Sequence, residues 1–160
     1  MTAAIHTERT VTLTRVLKAP RALVWQAWTD PKMLKEWWGP EEFTNPVVEG
    51  DIKEGGVLNI TMRGPKGSPW DMDMPMLKRY REIVPGKKLV FENEPIGPNG
   101  ERLIDALTTV TFSDHPDGTL MEMTTVAKAL APMAVGMLGG MEAGWSQSFD
   151  KLGRLVEGKK

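Results

Sequence analysis

Val11 to Leu17 alternates threonine with apolar residues and runs into Ala19-Pro20. Period-two alternation predicts a first strand, and Pro20 suits the first turn of a following helix. Arg21 to Trp28 ends at Thr29-Asp30-Pro31, where Asp30 is placed to cap a second short helix with Pro31 in its first turn. Leu23, Val24, Ala27, Leu34 and Trp37 give this pair an apolar face. From Phe43 to Lys128 the punctuation changes. Turn clusters at Gly55-Gly56, Gly64-Pro65-Lys66-Gly67, Pro85-Gly86, Pro98-Asn99-Gly100 and Asp114-His115-Pro116-Asp117-Gly118 separate alternating runs. They predict an antiparallel meander with strands near 43–52, 56–63, 70–84, 88–94, 102–113 and 119–127. After Pro132 the period becomes helical to Val156. Met133, Met137, Met141, Trp145 and Phe149 fall four residues apart, and Leu152 and Val156 continue their face, so one long amphipathic helix is expected.

The resulting order is one strand, two short helices, six strands and one long helix. Helices are segregated from an antiparallel sheet, which makes the fold α+β. No repeat or low-complexity linker divides the chain, so residues 1–160 read as one domain, with 1–9 as a flexible tail.

Composition narrows the chemistry. There is no cysteine among the 160 residues, so thiolate nucleophiles, disulfides and Cys-based metal sites are excluded. Met1 to Thr10 is polar and lacks the apolar stretch of a secretion signal, which makes the cytoplasm the expected compartment. The run from Ala129 to Met141 is shorter than the ~20 residues that span a bilayer, so membrane insertion is not expected. Twenty Lys and Arg against 21 Asp and Glu, with no block of like charge, remove the usual warrant for nucleic-acid binding. No phosphate-binding glycine motif occurs, and His6 and His115 have no partners at nucleophile or metal-ligand spacing, so no cofactor or metal is expected.

A family resemblance is carried by Ala19-Pro20-Arg21, Val24-Trp25-Gln26-Ala27-Trp28-Thr29-Asp30-Pro31, Trp37-Trp38-Gly39-Pro40 and Phe43-Thr44-Asn45-Pro46. It continues through Met62-Arg63-Gly64-Pro65-Lys66-Gly67, Arg81-Glu82-Ile83-Val84-Pro85, Leu89-Val90-Phe91 and Gly144-Trp145-Ser146-Gln147-Ser148-Phe149-Asp150-Lys151-Leu152. In order and spacing these segments resemble the Hsp90-ATPase-activator-homologue (AHSA1-like) family of the START/Bet v 1-like (SRPBCC) superfamily. The resemblance implies a helix-grip fold, a curved seven-stranded antiparallel sheet around a long C-terminal helix. It implies no single activity, because lipid carriers, hormone receptors, cyclases, hydrolase-like enzymes and co-chaperone domains share that fold. The chain departs from the pattern at Trp70 to Lys78, where a small residue and aromatics are usual.

Between helix and sheet the residues suggest an apolar cavity. Alternation from Trp70 to Glu82 puts Trp70, Met72, Met74, Met76 and Tyr80 on the covered face, with Lys78 and Glu82 beside them. Pro75 favours an edge or bulge. On the long helix Met137, Met141 and Trp145 face the same interior, flanked by a stripe of Gly136, Gly140, Gly144 and Ser148 that either admits the sheet closely or leaves space. The candidate lining is thus Trp70, Met72, Met74, Met76, Tyr80, Met137, Gly140, Met141, Gly144 and Trp145. Methionine adapts to irregular partners, which suits a tolerant pocket, although an ordinary Met-rich core would look similar. Trp25, Trp28, Trp37 and Trp38 either pack one end of the grip or gate it.

Three roles follow for such a domain. The first is binding of a small apolar or amphipathic ligand in the cavity. The second is an enzyme acting on a hydrophobic small molecule, with Glu82 or Lys78 and Tyr80 as an acid–base set whose buried members would titrate abnormally. No catalytic signature singles these residues out. The third, implied by the family name, is association with an Hsp90-type chaperone.

Overall fold

Residues 8–97 and 99–157 are described by a computed structural model of the chain, as are all their side chains except that of Met133. The expected tail therefore lies largely outside the described residues. Its last two members, Glu8 and Arg9, belong instead to the first strand. The Pro98 of the expected turn at 98–100 also lies outside them.

Seven strands form one antiparallel sheet: β1 (Glu8–Leu17), β2 (Thr44–Gly50), β3 (Val57–Arg63), β4 (Asp73–Val84), β5 (Lys88–Pro95), β6 (Ile104–His115) and β7 (Gly118–Ala129). Their spatial order is β1-β7-β6-β5-β4-β3-β2. Strands β2 to β7 make the expected meander, and β1 adds to its far edge through an unbroken register from Glu8 opposite Lys128 to Leu17 opposite Thr119. The β6–β7 turn is held tight by Gly118 (φ +141°), where a Cβ would fall 2.2 Å from the Leu17 carbonyl oxygen. Only glycine fits there.

The chain crosses from the β1 edge to the β2 edge through α1 (Arg21–Thr29) and α2 (Pro31–Trp37). Asp30 separates them as its sequence context requires: its Oδ1 accepts from Lys32 N at 2.9 Å, and Pro31 opens α2. The pair buries Val24, Ala27, Trp28, Leu34 and Trp37.

The single long C-terminal helix expected from periodicity is broken. Pro132–Ala134 forms a short 3₁₀ turn, followed by α3 (Val135–Gly139) and α4 (Met141–Glu157). The break sits at Gly139-Gly140, where Gly140 N donates to Met137 O at 3.2 Å, a tightened closing turn. Adjacent glycines carry the highest backbone entropy cost of any pair in a helix, so the chain interrupts there at least expense. Beyond the break, α4 buries Trp145, Phe149, Leu152 and Val156 at three- and four-residue spacing.

The core has two parts. A large one joins Trp28, Trp37, Trp38, Tyr80, Phe91 and Phe149 with the aliphatic residues of the sheet. A smaller one joins Leu103, Ile104, Ala106, Ala127, Ala134 and Leu138 at the other end of the helices. Met141 packs against both. No helix among the described residues is long and apolar enough to cross a membrane.

Candidate functional site

At the seam of the two core clusters lies a cavity of about 220 Å³. Its walls come from Trp38, Gly39 and Pro40 after α2, Met62 of β3, Met76 of β4, Asn93 and Pro95 of β5, and Ile104 and Ala106 of β6. The helices complete it with Met137, Gly140, Met141, Gly144, Trp145 and Ser148. Nearly every wall is apolar, and four of them are methionines.

Six of the ten expected lining residues meet here: Met76, Met137, Gly140, Met141, Gly144 and Trp145. Trp70 and Met72 do not. Strand β4 begins only at Asp73, and the preceding turn, closed by Gly64 N donating to Trp70 O, leaves both side chains 46% exposed. Met74 is half-buried opposite Met62 without lining the cavity, and Tyr80 lies deeper in the core against Phe91. The sheet does not close on the glycine stripe, whose Gly136 and Gly140 are exposed. A Cβ on Gly140 would meet only Met137 O at 3.9 Å, and one on Gly144 only Pro40 Cγ at 3.7 Å.

Lys78 is the most unusual residue near this cavity. It is fully buried and its Nζ has no hydrogen-bond partner. Instead Nζ stands 4.0 Å from the Trp38 ring centroid, 4.1 Å from Phe91, 5.2 Å from Trp28 and 5.5 Å from Tyr80. Burial drives its pKa well below the ordinary lysine value. Desolvation of an unpaired ammonium is the cause of this lowering, and the four aromatic faces around Nζ oppose it. Burial likewise raises the Tyr80 phenol above its usual value, and its hydroxyl has no partner either.

The third member of the expected acid–base set is elsewhere. Tyr80 pairs with Phe91 and Glu82 with Val90, so Arg81 is an extra residue that bulges the strand and reverses its inside–outside phase. Ile83 then packs on the core, while Glu82 turns out to Lys88 Nζ at 3.3 Å. Lys78 and Glu82 therefore share no pocket.

Asn93 is a site residue the sequence reading passed over. It faces Lys78 directly across β4–β5, lines the cavity, and its buried Oδ1 receives no donor. Its signal was present in the chain: Leu89, Phe91 and Asn93 alternate on the covered face of β5, so the asparagine is a polar residue at an inward position. The Trp38–Pro40 wall is fixed from α4 by Lys151, whose Nζ donates to the carbonyls of Gly39 and Pro40 at 3.2 Å and of Trp38 and Phe43 at 3.5 Å. Burial lowers the Lys151 pKa; Glu41 opposes this and Arg154 adds to it. Asn45 Nδ2 also donates to Trp38 O at 2.8 Å.

Among curated proteins none matches the chain. Solved structures do. A protein from Chromobacterium violaceum is 28% identical with a TM-score of 0.79, over 92% of this chain and 96% of that one. An uncharacterised protein from Rhizobium leguminosarum is 25% identical with a TM-score of 0.75, over 96% and 97%. A protein of unknown function from Staphylococcus aureus, at 20% identity and a TM-score of 0.71 over 96% of each chain, shares the fold. Residues 18–157 match one family over nearly the whole described fold, and the chain belongs to it: the family described as activator of Hsp90 ATPase homolog 1-like protein.

Proposed function

We propose that this protein binds a small apolar or amphipathic molecule in the cavity between its C-terminal helices and the sheet. The observation that carries this reading is the cavity itself: about 220 Å³, walled by Met62, Met76, Met137 and Met141 and left open by Gly140 and Gly144. An apolar cavity of ~150 Å³ is enough to admit benzene, so a single ring or a short branched chain fits here. The START-type fold of the family is commonly a ligand-binding scaffold, which agrees. The polar end of an amphipathic ligand would find Asn93 Oδ1 and the Ser148 hydroxyl.

An acid–base enzyme built on Lys78, Tyr80 and Glu82 is not our reading, because the bulge at Arg81 removes Glu82 from the set. No feature among the described residues favours a chaperone-associated role over the cavity. The test is titration of the full chain with benzyl alcohol, followed by tryptophan fluorescence, since Trp38 and Trp145 are walls. Saturable change that is lost in Gly140→Leu supports the reading. An unresponsive wild-type protein overturns it.

A further inference from the structure

The cavity and the buried lysine share two walls. Trp38 touches Nζ and lines the cavity, and Asn93 lines the cavity while standing opposite Lys78 in the sheet register. Nζ, Tyr80 Oη and Asn93 Oδ1 are all buried without partners. A lysine kept only for stability would be expected to have a carboxylate or a row of carbonyls, as Lys151 has at the other side of the same loop.

The ligand head group that suits this arrangement is a carbonyl. A carboxylate would have to give up its hydration in an apolar wall. A quaternary or protonated amine would face the amine of Lys78. An aldehyde or ketone brings no charge and reacts with the unprotonated form of lysine, the form that a desolvated pocket favours.

We propose that Lys78 captures an apolar aldehyde or ketone held in the cavity as an imine. This rests on the cavity-binding reading and adds a covalent step to it. The Nζ lone pair attacks the carbonyl carbon, a C–N bond forms, and a proton from nitrogen passes to oxygen to give the carbinolamine, whose hydroxyl can donate to Asn93 Oδ1. Loss of that hydroxyl with the second nitrogen proton releases one water and leaves C=N. No oxidant or reductant is needed. Trp38 must turn aside for the carbonyl to reach Nζ, which makes it the gate of the step.

The experiment treats the full chain at neutral pH with less than one equivalent of benzaldehyde and with cyanoborohydride, which reduces the imine to a stable benzylamine. Peptide mapping locates the benzyl group, with and without excess benzyl alcohol as a non-reactive competitor. We expect Lys78 to be modified ~10-fold or more faster than any other lysine. We also expect benzyl alcohol to suppress that modification, and Lys78→Met to lose it while still binding benzyl alcohol. Label confined to surface lysines, while benzyl alcohol still binds, overturns imine capture and leaves the cavity reading standing. Label at Lys78 that benzyl alcohol does not suppress overturns capture from the cavity. Absence of both benzyl alcohol binding and Lys78 label overturns both readings.

Discussion

Lys78 Nζ lies 4.0 Å from the centroid of the Trp38 ring, and the same ring is a wall of the cavity. One side chain therefore joins an unpartnered buried amine to the space proposed for the ligand. The first consequence concerns stability. Removing a buried polar group that has no partner lifts a desolvation penalty of ~1–3 kcal/mol, and methionine matches the length of the lysine stem. Lys78→Met is expected to be more stable than wild type by about that amount at pH 7.

The sign of its pH dependence follows from the lowered Lys78 pKa. Between the folded-state value and the ordinary 10.5, the unfolded chain carries a proton on Lys78 that the folded chain lacks, so wild-type stability rises with pH through this window. The advantage of Lys78→Met should accordingly shrink as pH approaches 10.5. Tyr80 acts in the opposite sense. Its folded-state value is raised, so above its ordinary 10.0 the unfolded chain loses a proton that the folded chain keeps, and stability falls as pH rises further. Tyr80→Phe should remove that alkaline loss. Urea unfolding of the three proteins from pH 7 to 11 checks both signs; parallel curves would contradict them.

At Gly140 and Gly144 the expected effects differ. Gly144→Ala places a methyl in ordinary contact with Pro40 inside α4, so up to ~1 kcal/mol of stabilisation is expected from the lower backbone entropy cost alone. Gly140→Leu adds a side chain where only Met137 O is near. It should melt at the wild-type temperature or above while affinity for benzyl alcohol falls. Thermal melts with a binding titration test the pair, and a Gly140→Leu protein that is destabilised yet still binds would contradict the cavity geometry.

Lys151 holds the Trp38–Pro40 wall by its backbone carbonyls. Lys151→Met strips their donor and should cost about 1–3 kcal/mol. The amides of Gly39, Glu41, Glu42 and Phe43 should then exchange with solvent faster than in wild type while those of β6 and β7 are protected as before. Uniform acceleration across the chain would mean a global rather than a local role.

Much of this was legible in the chain. Turn residues delimit six of the strands, Asp30-Pro31 marks the break between α1 and α2, and period two correctly turns Met76, Lys78 and Tyr80 inward. Alternation misleads where the strand is irregular. It places the start of β4 at Trp70, three residues early, because the turn after Gly64 continues to Met72 without further glycine or proline signals beyond Pro69. It also fails past Arg81, where a bulge with no glycine to announce it reverses the phase and sends Glu82 outward. The i+4 pattern through Met137 and Met141 likewise concealed the break at Gly140, since the apolar stripe continues across it. The cavity was only half readable for a different reason. Met62, Asn93, Ile104 and Ala106 come from three strands distant in sequence from the helices, and their convergence is set by sheet order and curvature.

The most direct measurement of ligand binding in the cavity is a methyl NMR titration with benzyl alcohol on protein carrying ¹³C-methyl methionine. Four methionines line the cavity, Met62, Met76, Met137 and Met141, whereas Met121 and Met123 are buried elsewhere and Met72 is exposed. The methyls of Met62, Met76, Met137 and Met141 should shift together and saturably, with Met72, Met121 and Met123 still and with the response lost in Gly140→Leu. Shifts confined to Met72, or spread evenly over buried and exposed methionines alike, would contradict the account.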